Sequence, residues 1–223
     1  MKIKIASVCM AFALTLTLSG QCFAASTPFT DLENTNAKEK ILSLQAKGYA
    51  NGIADGVFAP HETMTAAQGI QLIVKALGLN LDTIRFVKEP KATDYFKKAN
   101  NDSWYAHSLI VASVNGFDLS SDMDPNQEWT HEEFTYHLIQ IMEKHANLPM
   151  IKLVPTEIAD QDQMESSYSG AIERALAYNI VTLDTNGKFN PKVNITRAEA
   201  AEQVYNALEY INAHAPKPVV ITD

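Results

Sequence analysis

The sequence predicts an all-α protein with pseudo-threefold organisation. Three observations carry this reading. Threonine-headed capping boxes recur at near-constant spacing, each opens an apolar stretch of helical period, and each follows a shorter helical stretch and a turn-forming segment. The boxes are Thr65-Ala66-Ala67-Gln68, Thr130-His131-Glu132-Glu133 and Thr196-Arg197-Ala198-Glu199, spaced 65 and 66 residues apart. In such a box the threonine hydroxyl accepts the N–H of the third helical residue, whose own side chain reaches back to the threonine N–H. A pattern used three times at one period marks one structural unit in three copies.

Ahead of the repeats, Lys2 and Lys4, the apolar run Ile5 to Leu18 and the tripeptide Cys22-Phe23-Ala24 read as a secretory signal peptide over residues 1–24, cut after Ala24 or Ala25. The run is shorter than the ~20 residues of a membrane span, and no later segment reaches that length. A lipid-attachment box at Leu18-Ser19-Gly20-Gln21-Cys22 is the alternative, but Gln21 stands where a small residue belongs, and simple export is preferred. Both cysteines, Cys9 and Cys22, fall in this leader, so the mature chain is expected to lack disulfide and thiol chemistry. Without Lys2 and Lys4 the chain has 16 basic and 26 acidic residues, a net charge of −10. That acidity makes the chain a poor candidate for binding nucleic acid or an anionic membrane surface, while leaving room for one local cationic site.

The first repeat, residues 25–81, starts with a helix over Ala37 to Lys47 that stops at Gly48. Turns over Asn51 to Pro60 surround a short extended piece, and Thr65 caps a helix burying Ile70, Leu72, Ile73, Ala76 and Leu77. The second, residues 82–147, begins with a connector over 82–94. Its first helix runs from Trp104 to Val114, Gly116 stops it, and Thr130 caps a helix containing Phe134 to Met142. The third, residues 148–214, has a connector over 148–157 and a helix over Tyr168 to Tyr178. Asn179 takes the left-handed stop position, Asp184 to Gly187 form a turn, and Thr196 caps Ala200 to Ile211. Residues 215–223 are an extended, loosely held tail. One unit of about fifty residues buries too little to stand alone, so the three copies are expected to share a core.

Several ordered elements resemble the S-layer homology family of bacterial cell-surface domains. The first repeat has Phe29-Thr30-Asp31, Gly48-Tyr49, Asn51-Gly52, Asp55-Gly56-x-Phe58-x-Pro60 and Thr65-x-x-Gln68. The second has Trp104-Tyr105-Ala106, Gly116-Phe117, Asp124-Pro125 and Thr130-x-x-Glu133. The third has Ile158-Ala159-Asp160, Asn179-Ile180, Asn186-Gly187-Lys188-Phe189-x-Pro191 and Ile195-Thr196-Arg197-Ala198-Glu199. The resemblance implies a spindle-like bundle whose grooves, between adjacent repeats, hold secondary cell-wall polysaccharide ending in an acidic, pyruvylated sugar. It also implies that the arginine of the third box, Arg197, meets the acidic substituent. A guanidinium beside a helix N-terminus fits such a role, because backbone N–H groups and dipole add to its fork. Ala66 and His131 replace that arginine in the other boxes, so one groove is expected to be competent and two degenerate. Protonated His131 would substitute weakly.

For Arg197 the bland reading is a solvated first-turn arginine paired with Glu199 or Glu202. Thr196 and Glu199 are caps first, though they shape the groove. Trp104 either packs as core beneath a groove, the preferred reading, or stacks on a sugar ring. Asp55, Gly56, Asp184, Asn186 and Gly187 are turn formers that in the family also line the groove. Asp122 to Glu133 places oxygens like a calcium loop, but Gln127 stands at the obligatory glycine, and His131-Glu132 lacks the second histidine of a zinc motif. No nucleophile elbow or phosphate loop occurs. The expectation is therefore a secreted, cell-wall-associated binding protein without cofactor, metal or catalytic activity. The rival is a degenerate scaffold for protein–protein contact or self-assembly.

Overall fold

The computed structural model describes residues 27–149, 151, 152 and 154–214. The signal peptide, its cysteines and the tail expected from the sequence lie outside the described residues. Within them are six α-helices and no named strand. They are α1 (Lys38–Ala46), α2 (Ala66–Ala76), α3 (Ala106–Asn115), α4 (His131–His145), α5 (Ser166–Ala177) and α6 (Arg197–His214). The fold is all-α, and among these residues no helix is long and apolar enough to cross a membrane.

Each longer helix starts where its box sits. Thr65 and Thr130 form reciprocal capping boxes with Gln68 and Glu133, and Thr196 does the same with Glu199. Gly48 (φ +73°), Gly116 (φ +87°) and Asn179 (φ +56°) take the left-handed conformation that ends the shorter helices. Trp104 lies outside α3, which opens two residues later than its sequence suggests.

The repeats interlock. α2 packs on α3, α4 on α5, and α6 on α1, so the second helix of each repeat pairs with the first helix of another. At the centre, three equivalent backbone groups close a ring of hydrogen bonds. Met64 N–H donates to the Ile195 carbonyl, Ile195 N–H to that of Trp129, and Trp129 N–H to that of Met64, each at 3.0 Å. The same cycle caps the helices. The first two N–H groups of α2 donate to Gln127 and Pro125, those of α4 to Val193 and Pro191, and those of α6 to Glu62 and Pro60. These are the donors a helix start otherwise leaves orphaned. Gly69 is needed inside α2 because a β-carbon there would lie 2.7 Å from the Trp129 ring.

Asp31 and Asp160 do matching work in the first and third repeats. Asp31 accepts the N–H groups of Phe58 and Ala59 at 2.9 and 2.7 Å, and Asp160 those of Phe189 and Asn190 at 2.9 Å. Each carboxylate thus locks the phenylalanine of its turn under the groove beside it. The corresponding second-repeat position is Lys98, and Met123 replaces the phenylalanine.

His137 of α4 is buried between Trp129 (ring centroids 4.9 Å) and Phe117 (6.2 Å), and its Nδ1 has no partner. Burial pushes its imidazole down to about 4, against the opposing pull of Asp118. A folded value below the unfolded one near 6.5 means this residue's contribution is intact above pH 6.5 and is lost as pH falls towards 4. We expect acidification across that window to remove roughly 3 kcal/mol through this residue. Urea unfolding at stepped pH should show a flatter profile in His137→Leu, the residue type at the equivalent Leu72.

Candidate functional site: two open grooves and a bridged one

The interlock creates three equivalent grooves, each walled by the turn of one repeat, the second helix of the same repeat and a box residue from a neighbour. The first is a cavity of about 480 Å³, with Arg197 at its floor and Trp104 at its edge. Asn51, Gly52 and Ile53 form one wall, and Gln68, Gln71 and Leu72 of α2 form the other. Arg197 is 5% exposed. Its Nε–H donates to the Phe58 carbonyl at 2.8 Å and Nη2 to the Asn51 carbonyl at 2.9 Å. The guanidinium lies 4.8 Å from the Phe58 ring centroid, a cation–π contact. Burial lowers its pKa, with Glu62 and Asp31 opposing, and the group stays charged.

Three expectations change here. Arg197 is neither solvated nor paired with Glu199 or Glu202: Glu199 closes the capping box and Glu202 bonds Lys40 at 2.6 Å. The start of α6 offers no free anion cradle, because its first two N–H groups serve Glu62 and Pro60 and its third serves Thr196. Trp104 is 58% exposed and rims the groove, so it is not core.

The second groove is the pseudo-threefold mate, a cavity of about 650 Å³ lined by Asp184, Phe189, Glu199, Glu202 and Gln203, with His131 in the arginine's place. His131 copies the arginine's attachment. Its Nδ1 lies 2.8 Å from the Phe189 carbonyl, and its ring stacks on Phe189 at 4.3 Å. The weak substitution expected of its protonated form is not available at neutral pH. Burial pushes its pKa below the ordinary histidine value despite the Phe189 carbonyl, Glu199 and Asp160, so it is neutral at pH 7.

In the third position Ala66 replaces the arginine, and the walls meet directly. Tyr136, equivalent to Gln71, donates its hydroxyl to Asp118 at 3.0 Å, and packs tilted against Tyr168 with ring centroids 4.6 Å apart. This bridge spans the space that is open in the other two.

Asp184 lines the second groove, but its carboxylate is taken up by the N–H groups of Asn186 and Lys188. Asp55, Gly56, Asn186 and Gly187 lie outside the lining of both grooves. Gly56 serves the turn, its carbonyl accepting Thr30 N–H at 2.9 Å. The groove residues missed from sequence are the wall amides Gln68, Gln71 and Gln203. Their shared signal was a position on the second helix three, six or seven residues after the cap.

Residues 28–68 and 157–201 match the model of the S-layer homology domain. Over these two stretches, which together make up under half of the chain, it is similar to the S-layer homology family. The matched stretches fall within the first and third repeats, and the middle one lacks both the clamping aspartate and its phenylalanine. The chain is 27% identical over 190 residues to the exoglucanase XynX of Acetivibrio thermocellus, covering 84% of this chain and 17% of that protein. It is 26% identical over 183 residues to the surface-layer 125 kDa protein of Lysinibacillus sphaericus (79% and 14%). It is 30% identical over 129 residues to the surface layer protein of Brevibacillus choshinensis (56% and 11%). The chain thus spans less than a fifth of the length of these relatives. The enzyme-named ones share with it only their S-layer homology portion.

The buried attachment of Arg197 makes it a clamp between the third and first repeats. Arg197→Ala is expected to cost about 2–4 kcal/mol, from lost charge-assisted bonds and two stranded carbonyls. Chemical denaturation checks this, and Arg197→Lys should restore only part, since an ammonium lacks the fork that spans both carbonyls.

Proposed function

We propose that this chain is a non-catalytic cell-surface module that binds an acidic cell-wall polysaccharide in the Arg197 groove. One observation carries the reading: the guanidinium at the groove floor sits opposite an exposed tryptophan at its rim. The carbonyl bonds of Arg197 use only part of its fork, leaving further N–H donors for a carboxylate. The indole of Trp104 supplies a flat apolar face for a sugar ring, and Gln68 and Gln71 offer both donors and acceptors to hydroxyls. Among the described residues no other charged residue lines this cavity, so Arg197 is the charge that an anionic substituent meets there. The similarity to the S-layer homology family, and the surface-layer names among the relatives, support a location at the cell surface and attachment to wall polymer. A pyruvylated terminal sugar is the acidic unit this chemistry suits.

Because Arg197→Ala also weakens the fold, Trp104 gives the cleaner test. Purified cell-wall sacculi should retain the wild-type chain, and Trp104→Ala should lower that affinity about tenfold, or about 1.4 kcal/mol. Retention unchanged by Trp104→Ala would discard this groove as the site, and absence of retention in the wild type would favour a protein-contact scaffold.

A further inference from the structure

We propose that the cavity around His131 is a second glycan site of different selectivity, accepting an uncharged sugar unit such as an N-acetylhexosamine and refusing the acidic one. This rests on reading the grooves as glycan sites, and departs from it in the class of sugar bound. The two cavities share backbone geometry, since Arg197 and His131 are anchored to equivalent phenylalanine carbonyls and rings. Their chemistry has diverged. Where the first groove has a fixed cation, the second has a neutral imidazole whose Nδ1 faces a carbonyl, leaving Nε2 as an acceptor.

The charges around it also oppose an anion. Asp184, Glu199 and Glu202 outnumber Lys40 and Lys188 in the lining. Lys40 is committed to Glu202 at 2.6 Å and Asn206 at 3.0 Å. A carboxylate-bearing sugar entering here would meet excess negative charge with no guanidinium to offset it.

Polar groups suited to an uncharged ligand remain. Gln203 is 3% exposed, lines this cavity, and has an Nε2 with no partner, although its Oε1 lies 2.9 Å from the Thr135 hydroxyl. A buried amide donor left unmatched is costly; the Nε2 itself is covered by the cavity wall, and a turn of the side chain towards the cavity would give it an acetamido or hydroxyl oxygen as acceptor. The equivalent residue in the first groove is Leu72, which offers no such donor. Val193, 61% exposed at the rim, supplies apolar surface for the C–H face of a ring. A cavity of about 650 Å³ has the size of an ordinary small-ligand site.

The test titrates the full chain with two probes, chitotriose as the uncharged sugar and a methyl glycoside of pyruvylated N-acetylmannosamine as the acidic one. Binding is followed calorimetrically and by saturation-transfer NMR. The wild type should bind both without mutual competition. Gln203→Leu and the surface change Val193→Asp should each weaken chitotriose at least tenfold. His131→Arg should add a second site for the acidic probe. Circular dichroism checks the fold of each variant, and the exposed Val193→Asp keeps the test decisive if Gln203→Leu misfolds. Absence of chitotriose binding, its displacement by the acidic probe, or binding indifferent to both variants overturns the proposal. If the acidic probe alone fails on the wild type, the reading of the Arg197 groove falls while the chitotriose result still decides this one.

Discussion

A ring of three backbone hydrogen bonds, from Met64 to Ile195 to Trp129 and back to Met64, is the constraint on which the rest depends. Each bond joins two repeats, and no repeat can satisfy its own member. The ring fixes three box threonines around one axis and aims the starts of three helices at carbonyls borrowed from neighbours. Buried helix ends without partners are costly. Here that cost is avoided only when all three repeats are present. The shared apolar core follows from the same arrangement, because each longer helix then lies against a foreign shorter one.

Equivalent backbone positions carry unequal side chains, and this inequality turns one scaffold into three kinds of groove. The arginine and histidine versions keep the same two contacts, a phenylalanine carbonyl and a phenylalanine ring. They differ in charge at neutral pH, since burial neutralises an imidazole but not a guanidinium. In the alanine version the vacated space is crossed by Tyr136 and Asp118. The middle repeat has thus lost its clamping aspartate, its phenylalanine and its open groove, while its threonine cap and ring position persist. Loss on that scale is tolerated because the cap and ring are backbone and threonine chemistry, indifferent to the groove side chains.

Much of this was legible in the sequence because capping boxes and left-handed stops are local chemistry. Thr65, Thr130 and Thr196, and the stops at Gly48, Gly116 and Asn179, needed only their neighbours to be placed. What the sequence hid was long-range. Nothing in the period of α2 distinguishes packing against α1 from packing against α3. The anchorage of Arg197 depends on carbonyls some 140 residues away, so its burial could not be inferred from an arginine's usual exposure. Trp104 looked like core because tryptophan usually is, yet it falls before the helix start, where no partner repeat covers it. The supposed anion cradle at α6 failed for a related reason, since the competing carbonyls of Pro60 and Glu62 come from another repeat.

The pairing of α1 with α6 has a consequence for how the chain acquires its structure. In a solenoid, neighbouring units stack as they emerge and folding can spread from any point. Here the earliest helix finds its partner only in the last one, so the ring closes across nearly the whole described chain and carries a large loop-closure entropy before any reward. The repeats therefore behave as one cooperative body, in which a nascent or truncated pair of them is an open circle with two raw edges.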